Sequence, residues 1–384
     1  MPRTKQDTPP ARFGQVRADR YNKRKSLIKM RIDEIDSNMK HHSADELGEL
    51  EWYDVKKESG FDIYGLYDPR GQEVFKRMPT DVAKSVSEGV LSLHDMTAGG
   101  RIRFFTDSPV IAIIAKTGPL GGFGNMSPIG SSSFDLYRKN ENGKFDMRGV
   151  FAPPFDLKDG YSAYVSGLER PAEYLIHFPS YQQVKSLFIG IEKGKTLAHG
   201  GKYRDIAPIV FLGSSITQGG CASRPGNGYV SVISRELDVD IVNLGFSGSC
   251  KGETEMAEYV SSLPASVFVC DYDHNAPDAE HLRKTHFPLY AHYRSKNPDT
   301  PIVFISKPDW VCDPFAAERR EAVRSTFDRA VESGDKNVKF IDGEHLFDGD
   351  GYYDCTVDTC HPNDIGNRRM AKVIGGVLKE ILGI

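Results

Sequence analysis

The run I-V-F-L-G-S-S-I-T-Q-G-G-C, residues 209–221, decides the fold class. Its first four residues, Ile209, Val210, Phe211 and Leu212, are apolar, and Gly213, Ser214 and Ser215 follow at once. A short apolar run bounded by glycine predicts a buried parallel strand. Glycines and hydroxyls directly after it put a polar loop at the carboxyl end of that strand, where open α/β sheets hold their ligands. A serine in such a loop is exposed and close to backbone N–H groups, at a helix N-terminus where negative charge is favoured. That is a fitting place for a nucleophile that must generate an oxyanion. The plainer reading makes Ser214 and Ser215 turn or N-cap residues, so the loop has to find partners elsewhere in the chain.

Downstream, apolar strand candidates recur at 241–244, 267–270, 302–305 and 338–341. Helical stretches at 229–237, 254–262, 278–296 and 316–333 lie between them, and a last helix over 363–382 closes the chain. This alternation predicts a parallel sheet with helices on both faces over 205–384. Residues 195–208 read as a linker. Residues 50–197 read as all-β, with strand candidates at 60–67, 101–106, 110–115, 133–138, 174–178 and 185–191. Turns such as Asp68-Pro69-Arg70-Gly71 separate them, and this spacing predicts a β-sandwich. The glycine-rich stretch 118–130 is a long loop, either a lid or a crossover between sheets.

Residues 1–49 form a basic arm: ten Lys and Arg residues from Arg3 to Arg31 face only Asp7 and Asp19 before Asp33. Leu27, Ile28, Met30, Ile32 and Ile35 have helical spacing within 21–39. A solvated arm is the plainer reading and a nucleic-acid arm the sharper one.

At 384 residues there is room for two domains, and 39% apolar with 27% charged residues is the balance of a soluble globular chain. A net charge of -4 argues against nucleic acid as the main partner. No apolar run approaches the roughly 20 residues of a membrane-spanning helix, which argues against a membrane partner. The start M-P-R-T-K-Q-D lacks the apolar core of a secretory signal, so the expected location is the cytoplasm. Six cysteines, Cys221, Cys250, Cys270, Cys312, Cys355 and Cys360, read as free thiols, with Cys355 and Cys360 the one pair to watch for a disulfide. Homo-oligomerisation is left open.

Near the C-terminus, V-D-T-C-H-P-N spans 357–363. Asp358 and His361, three apart in a loop before the last helix, can face the same way. The carboxylate would then hold one imidazole nitrogen and leave the other to take the Ser215 proton. Pro362 keeps His361 extended. The plainer reading makes both residues part of the turn into the helix. After the second strand comes Gly245-Phe246-Ser247-Gly248, and after the third Asp271-Tyr272-Asp273-His274-Asn275. A glycine N–H and an asparagine amide at strand ends can donate to an oxyanion, so Ser215, Gly248 and Asn275 are the candidate donors.

The ordered set G-S-S-I-T at 213–217, N-L-G-F-S-G at 243–248, D-Y-D-H-N-A-P at 271–277 and D-T-C-H-P-N at 358–363 resembles the four blocks of the SGNH (GDSL-type) hydrolases. The third block, with F-D-L-Y at 134–137 in a β-rich region, is similar to a bacterial subgroup that carries an N-terminal β-sandwich with a G-x-D-L-Y motif. The resemblance implies a flavodoxin-like α/β/α domain after a jelly-roll-like sandwich, without metal or cofactor. It implies Ser215 as nucleophile, His361 as base, Asp358 as its orienter, and oxyanion donors at Ser215, Gly248 and Asn275. Two positions depart from the family: Ser214 stands where the Asp of G-D-S would be, and Ser133 where the G-x-D-L-Y glycine would be.

His274 and Trp310 are further candidates for substrate contact. A metal site at Asp271, Asp273 and His274 lacks a partner cluster. The implied activity is that of a serine esterase, first a carbohydrate O-acetyl esterase acting on an acylated small molecule or oligosaccharide. The alternatives are a lipid-type esterase, lysophospholipase or thioesterase, and an inactive carbohydrate-binding protein.

Overall fold

The computed structural model describes residues 32–36, 39–168, 171–308, 311, 313–349 and 351–384. The chain forms two compact units, Met1–His42 and Ser43–Ile384. Among the described residues of the first unit, Ile32–Ile35 is a single helical turn. Most of the helix predicted over 21–39 lies outside the described residues, as do Trp310 and Cys312.

The second unit opens with β1 (Leu50–Asp54), β2 (Asp62–Tyr64), β3 (Arg101–Thr106), β4 (Val110–Thr117) and β5 (Phe134–Lys139). β6 (Phe145–Phe151), β7 (Gly160–Ser166), β8 (Ala172–His177), β9 (Val184–Glu192) and β10 (Leu197–His199) follow. One antiparallel sheet runs β1-β9-β4-β7, and the other runs β10-β3-β8-β5-β6 with β2 on β3. Both sheets feed one apolar cluster, with Ile102, Phe104 and Leu136 from one and Ile111, Ile113 and Ile189 from the other. Sheets that share a core in this way make a sandwich.

The parallel strands β11 (Ile209–Gly213), β12 (Ile241–Gly245), β13 (Val267–Asp271), β14 (Ile302–Ile305) and β15 (Val338–Ile341) lie in the order β12-β11-β13-β14-β15. This is the flavodoxin-like order, with its topological switch beside β11. Side chains of β11 alternate between two cores: Ile209 and Phe211 join one cluster, Val210 and Leu212 the other. The helices of this unit are α1 (Thr80–Val86), α2 (Glu88–Leu93), α3 (Pro128–Ser132), α4 (Ser215–Gln218), α5 (Tyr229–Leu237), α6 (Thr254–Ser262), α7 (Ala279–Lys296), α8 (Ala316–Glu332) and α9 (Asp364–Leu382). α6 and α7 cover one face of the parallel sheet through Met256, Leu282 and Leu289. α5 and α9 cover the other through Val232, Ile233 and Ile374. Among the described residues no helix is long and apolar enough to cross a membrane.

The structure corrects two sequence expectations. The stretch 50–197 is not all-β, because α1 and α2 lie within it. Ala83, Val86 and Val90 recur at helical spacing and, with Met78, pack into the core of the parallel sheet. Ser87 separates the two helices and caps the second by accepting from the Val90 N–H at 3.1 Å. The presumed linker is also ordered, since β10 within it pairs antiparallel with β3.

Asp135 and Tyr137, the D and Y of F-D-L-Y, fasten the sandwich to the α/β part. The buried Asp135 carboxylate accepts from the Gly226 N–H at 2.9 Å and from the Tyr137 hydroxyl at 3.2 Å. Arg224 adds an ion pair at 3.5 Å. Burial pushes the Asp135 carboxyl up to about 6, against the pull of Arg235, the Gly226 N–H and Arg224. The approach requires glycine: a Cβ on Gly226 would lie 2.4 Å from the Tyr137 hydroxyl and 2.6 Å from Asp135 Oδ2. Gly226→Ala is therefore expected to destabilise the fold by about 1–3 kcal/mol in denaturant unfolding. Gly376→Ala, at an exposed point of α9 with open space around it, is expected to stabilise by about 0.5–1 kcal/mol.

Candidate active site

β11 runs directly into α4 at Gly213, where a Cβ would lie 2.0 Å from Thr217 Oγ1. Ser214 is extended and its Oγ accepts from the Ile216 N–H at 3.2 Å, while the Ser214 N–H donates to Thr217 Oγ1 at 3.2 Å. This reciprocal cap is what the serine does at the position where the family has aspartate. Thr217 Oγ1 in turn donates to Asp271 Oδ2 at 2.9 Å, and the Tyr229 hydroxyl donates to the same oxygen at 2.7 Å. Burial drives the Asp271 carboxyl up to about 7, against the two hydroxyl donors. Ser215 is the first residue of α4 and half-buried. Its N–H is one of the helix's unpaired first donors. Its carbonyl accepts from the Gly220 N–H at 2.8 Å and from the Tyr181 hydroxyl at 3.1 Å. Gly219, at φ 103°, ends the helix after one turn.

The loop 356–363 is pinned at both ends. Thr356 bridges to Pro362, and the Val357 N–H donates to the His361 carbonyl at 2.9 Å. Asn363 then caps α9, its side chain accepting from Ile365 and Gly366. Within this loop the His361 N–H donates to Asp358 Oδ1 at 2.7 Å, and His361 Nδ1 lies 2.8 Å from Asp358 Oδ2. His361 Nε2 lies 2.9 Å from Ser215 Oγ. Because Asp358 accepts at Nδ1, the network assigns the proton there and leaves the Nε2 lone pair facing the serine hydroxyl. Ser215, His361 and Asp358 thus form one connected line of hydrogen bonds.

Two residues from the first half of the chain support this site without any sequence signal, Asn125 at Asp358 and Arg77 at the end of β12. Asn125, in the glycine-rich stretch 118–130, donates from Nδ2 to Asp358 Oδ2 at 2.7 Å. Burial works to raise the Asp358 carboxyl, but the His361 N–H, the Asn125 amide and the His361 ring outweigh it and bring it down to about 2. Arg77 donates to the Gly245 carbonyl at 2.5 Å and to the Asn243 carbonyl at 3.3 Å, with its guanidinium 4.4 Å from the Phe246 ring centroid. Burial lowers Arg77 to about 9, against Tyr181 and Asp95. A buried cation bonded to backbone carbonyls fixes the end of β12, from which Gly248 follows.

Gly248 and Asn275 meet, but they face each other. The Gly248 N–H, at φ 64°, donates to Asn275 Oδ1 at 2.9 Å. Asn275 Nδ2 donates to the Phe246 carbonyl at 2.8 Å, with a longer 3.4 Å contact to the Gly213 carbonyl. These partners fix the amide orientation, since a flip would set Nδ2 against the Gly248 N–H.

His274 sits in the turn Asp273–Asn275, its Nδ1 3.9 Å from Cys360 Sγ. Asp271 and Asp273 are occupied by structural partners, Asp273 by the Lys307 N–H at 3.0 Å and by Arg319 at 2.9 Å. Ligand-type atoms of Cys221, Asp358 and His361 lie within 4.8 Å of one another, as do those of Asp342, Glu344 and His345. Burial, then Asp358 and Cys360, push the Cys221 thiol up to about 12, against thiolate ligation. Cys221, Cys250, Cys270, Cys355 and Cys360 are free thiols.

Residues 206–379 match the GDSL-like lipase/acylhydrolase family, and residues 50–197 match the N-terminal GxDLY region of SGNH-type esterases. The chain belongs to the SGNH (GDSL-type) hydrolases. It is an ester hydrolase with a GxDLY-type N-terminal part. A GDSL-like lipase structure from Bacteroides ovatus is similar at 27% identity and TM-score 0.79, covering 88% of this chain and 99% of that one. A family two carbohydrate esterase from Clostridium thermocellum, solved with cellohexaose, shares the fold at 16% identity and TM-score 0.58, covering 84% and 99%. An acetyl xylan esterase from Butyrivibrio proteoclasticus does so at 13% and 0.53, covering 87% and 100%. No curated protein matches the sequence.

Asn125→Ala is expected to move the Asp358 carboxyl up from about 2 towards 3.8. The stability that this carboxylate contributes is present above 3.8 and lost as pH falls through about 2, so the variant loses it at higher pH. A carbon-13 NMR titration of Asp358 checks the shift. Ester turnover is expected to fall with it, by less than the roughly 100-fold at which loss of a proton-transfer group begins.

Proposed function

We propose that this esterase removes acetyl groups from oligosaccharides through Ser215, His361 and Asp358. The observation that carries the reading is the unbroken line Ser215 Oγ–His361 Nε2 at 2.9 Å and His361 Nδ1–Asp358 Oδ2 at 2.8 Å. His361 Nε2 takes the hydroxyl proton as Ser215 Oγ attacks the ester carbonyl. Asp358 holds the ring in the required tautomer and stabilises the imidazolium. The tetrahedral oxyanion is met by the Ser215 N–H, the Gly248 N–H and the Asn275 amide. The Gly248 N–H, bonded to Asn275 Oδ1 at 2.9 Å, keeps its proton and turns its hydrogen bond to the oxyanion as it forms. His361 then protonates the leaving sugar oxygen. Water, deprotonated by the same ring, attacks the acyl-enzyme carbonyl, and the ring returns that proton to Ser215 Oγ as the acyl bond breaks and acetate leaves.

The choice of a sugar ester is supported by the surroundings of these residues. Among the described residues, the side chains beside Ser215, His361 and Asp358 include those of Asn125, Tyr181 and Cys221, which are short or polar and suit a small ester better than a long acyl chain. The fold shared with carbohydrate esterases, one of them solved with an oligosaccharide, agrees with this.

The deciding experiment is acetate release from a panel of acetylated oligosaccharides. Ser215→Ala is expected to abolish release and phosphonate labelling, leaving only background catalysis. Asn275→Ala is expected to keep the label but lower kcat by about 10²–10³-fold. A wild-type enzyme that does not label would sink the nucleophile assignment. Preference for octanoyl over acetyl p-nitrophenyl esters would replace the sugar reading with a lipid-type esterase.

A further inference from the structure

We infer that the cleft between the β5–β6 hairpin and helices α5 and α9 binds an anionic oligosaccharide. The cleft holds about 650 Å³, within the range of small-molecule sites. Six cationic side chains line it, Lys144, Arg224, Arg235, Arg368, Lys372 and Lys379, against two carboxylates, Asp146 and Glu236. The chain as a whole carries a net charge of -4, so this concentration of positive charge is local.

Not all of these charges are available. Arg224 pairs with Asp135 at 3.5 Å, and Arg368 with Glu236 at 2.9 Å. Lys144, Lys372 and Lys379 are exposed, and their ammonium groups have no carboxylate partner among the described residues. Arg235 is the fixed point. Its guanidinium lies 4.1 Å from the Tyr137 ring centroid, and its Nη1 donates to the Gly226 carbonyl at 2.6 Å and to His177 Nε2 at 3.0 Å. His177 is neutral there, because burial and then Arg235, Arg101 and Arg224 lower it well below 6.5. Arg235 is thus oriented by neutral acceptors, while Nε and Nη2 have no acceptor among the described residues. A guanidinium held in this way loses little freedom when it binds a carboxylate through two N–H groups.

The shape selects the ligand further. Arg368 and Lys379 are eleven residues apart on α9, roughly 16 Å at helical rise. Charges spread over that length suit several anionic groups on one chain better than one compact anion. Phe145, Met147 and Leu237 supply apolar wall for sugar faces. Gly376, with nothing within 4 Å of its ideal Cβ, adds no side chain to the groove. Asp146 and Glu236 can accept sugar hydroxyls. A chain of about three uronate residues has this combination of carboxylates, hydroxyls and apolar faces. The inference does not need Ser215 to be the nucleophile.

Calorimetric titration of the full chain with trigalacturonate tests it, beside neutral xylotriose and inorganic phosphate. Trigalacturonate is expected to bind, and to weaken as ionic strength rises. Lys372→Glu with Lys379→Glu, at exposed positions outside the catalytic line, is expected to weaken it by about tenfold or more, one order of magnitude in Kd. Hydrolysis of p-nitrophenyl acetate by that variant, which reports the fold, is expected to be unchanged. Xylotriose binding as tightly, phosphate binding as tightly, no binding of trigalacturonate, or an unaltered Kd in a variant of full activity would each overturn the assignment.

Discussion

One buried carboxylate oxygen holds the centre of this molecule together. Asp271, at the end of the middle strand, receives hydroxyls from Thr217 of α4 and Tyr229 of α5. Those bonds tie the turn that carries Ser215 to β13 and to the next helix along the chain. Two hydroxyl donors on one buried acceptor suit a neutral or a charged carboxyl, and burial has raised this one to about 7. The knot leaves α4 little room to turn, which keeps Ser215 Oγ aimed at His361. Removing a donor would leave a buried acceptor underbonded, which costs more than the bond itself contributes.

Around that knot, the N-terminal half braces the loops that carry Ser215, Asp358 and Gly248. Tyr181 holds the Ser215 carbonyl, Asn125 the Asp358 carboxylate, and Arg77 the carbonyls at the end of β12. Each acts on a different loop of the α/β half. The two halves are joined by Asp135 and Tyr137 on the 225–227 turn and by the buried Arg101 paired with Asp240. The short motif around Asp135 is therefore a docking feature in this chain. Its first position tolerates Ser133 because the serine hydroxyl returns to the Ile129 carbonyl at 2.6 Å, a local bond within the turn that precedes β5.

The parallel sheet was legible in the sequence because β11 to β15 are short apolar runs ending in glycine, aspartate or a polar loop, and the helices between them start within a residue or so of their expected places. The pairing of His361 with Asp358 was legible because they stand three positions apart and proline follows. Asn125 and Arg77 were not, since a contact across more than 150 residues leaves no local trace. The helices α1 and α2 were missed for a related reason. Their apolar positions are few, and the surface they cover belongs to another part of the chain. Gly248 and Asn275 were singled out in the sequence, but their mutual hydrogen bond depends on a turn with positive φ that periodicity does not reveal.

The placement of α1 and α2 bears on how the chain can be cut. Met78, Ala83, Val86 and Val90 come from the first half yet fill the core beneath α6. A boundary drawn at residue 200 would strip that apolar surface from the hydrolase half and leave it wet. The pair is thus an interleaved architecture, not beads on a string. Neither half can be exchanged for a foreign module without also redesigning the seam that the exchange would expose.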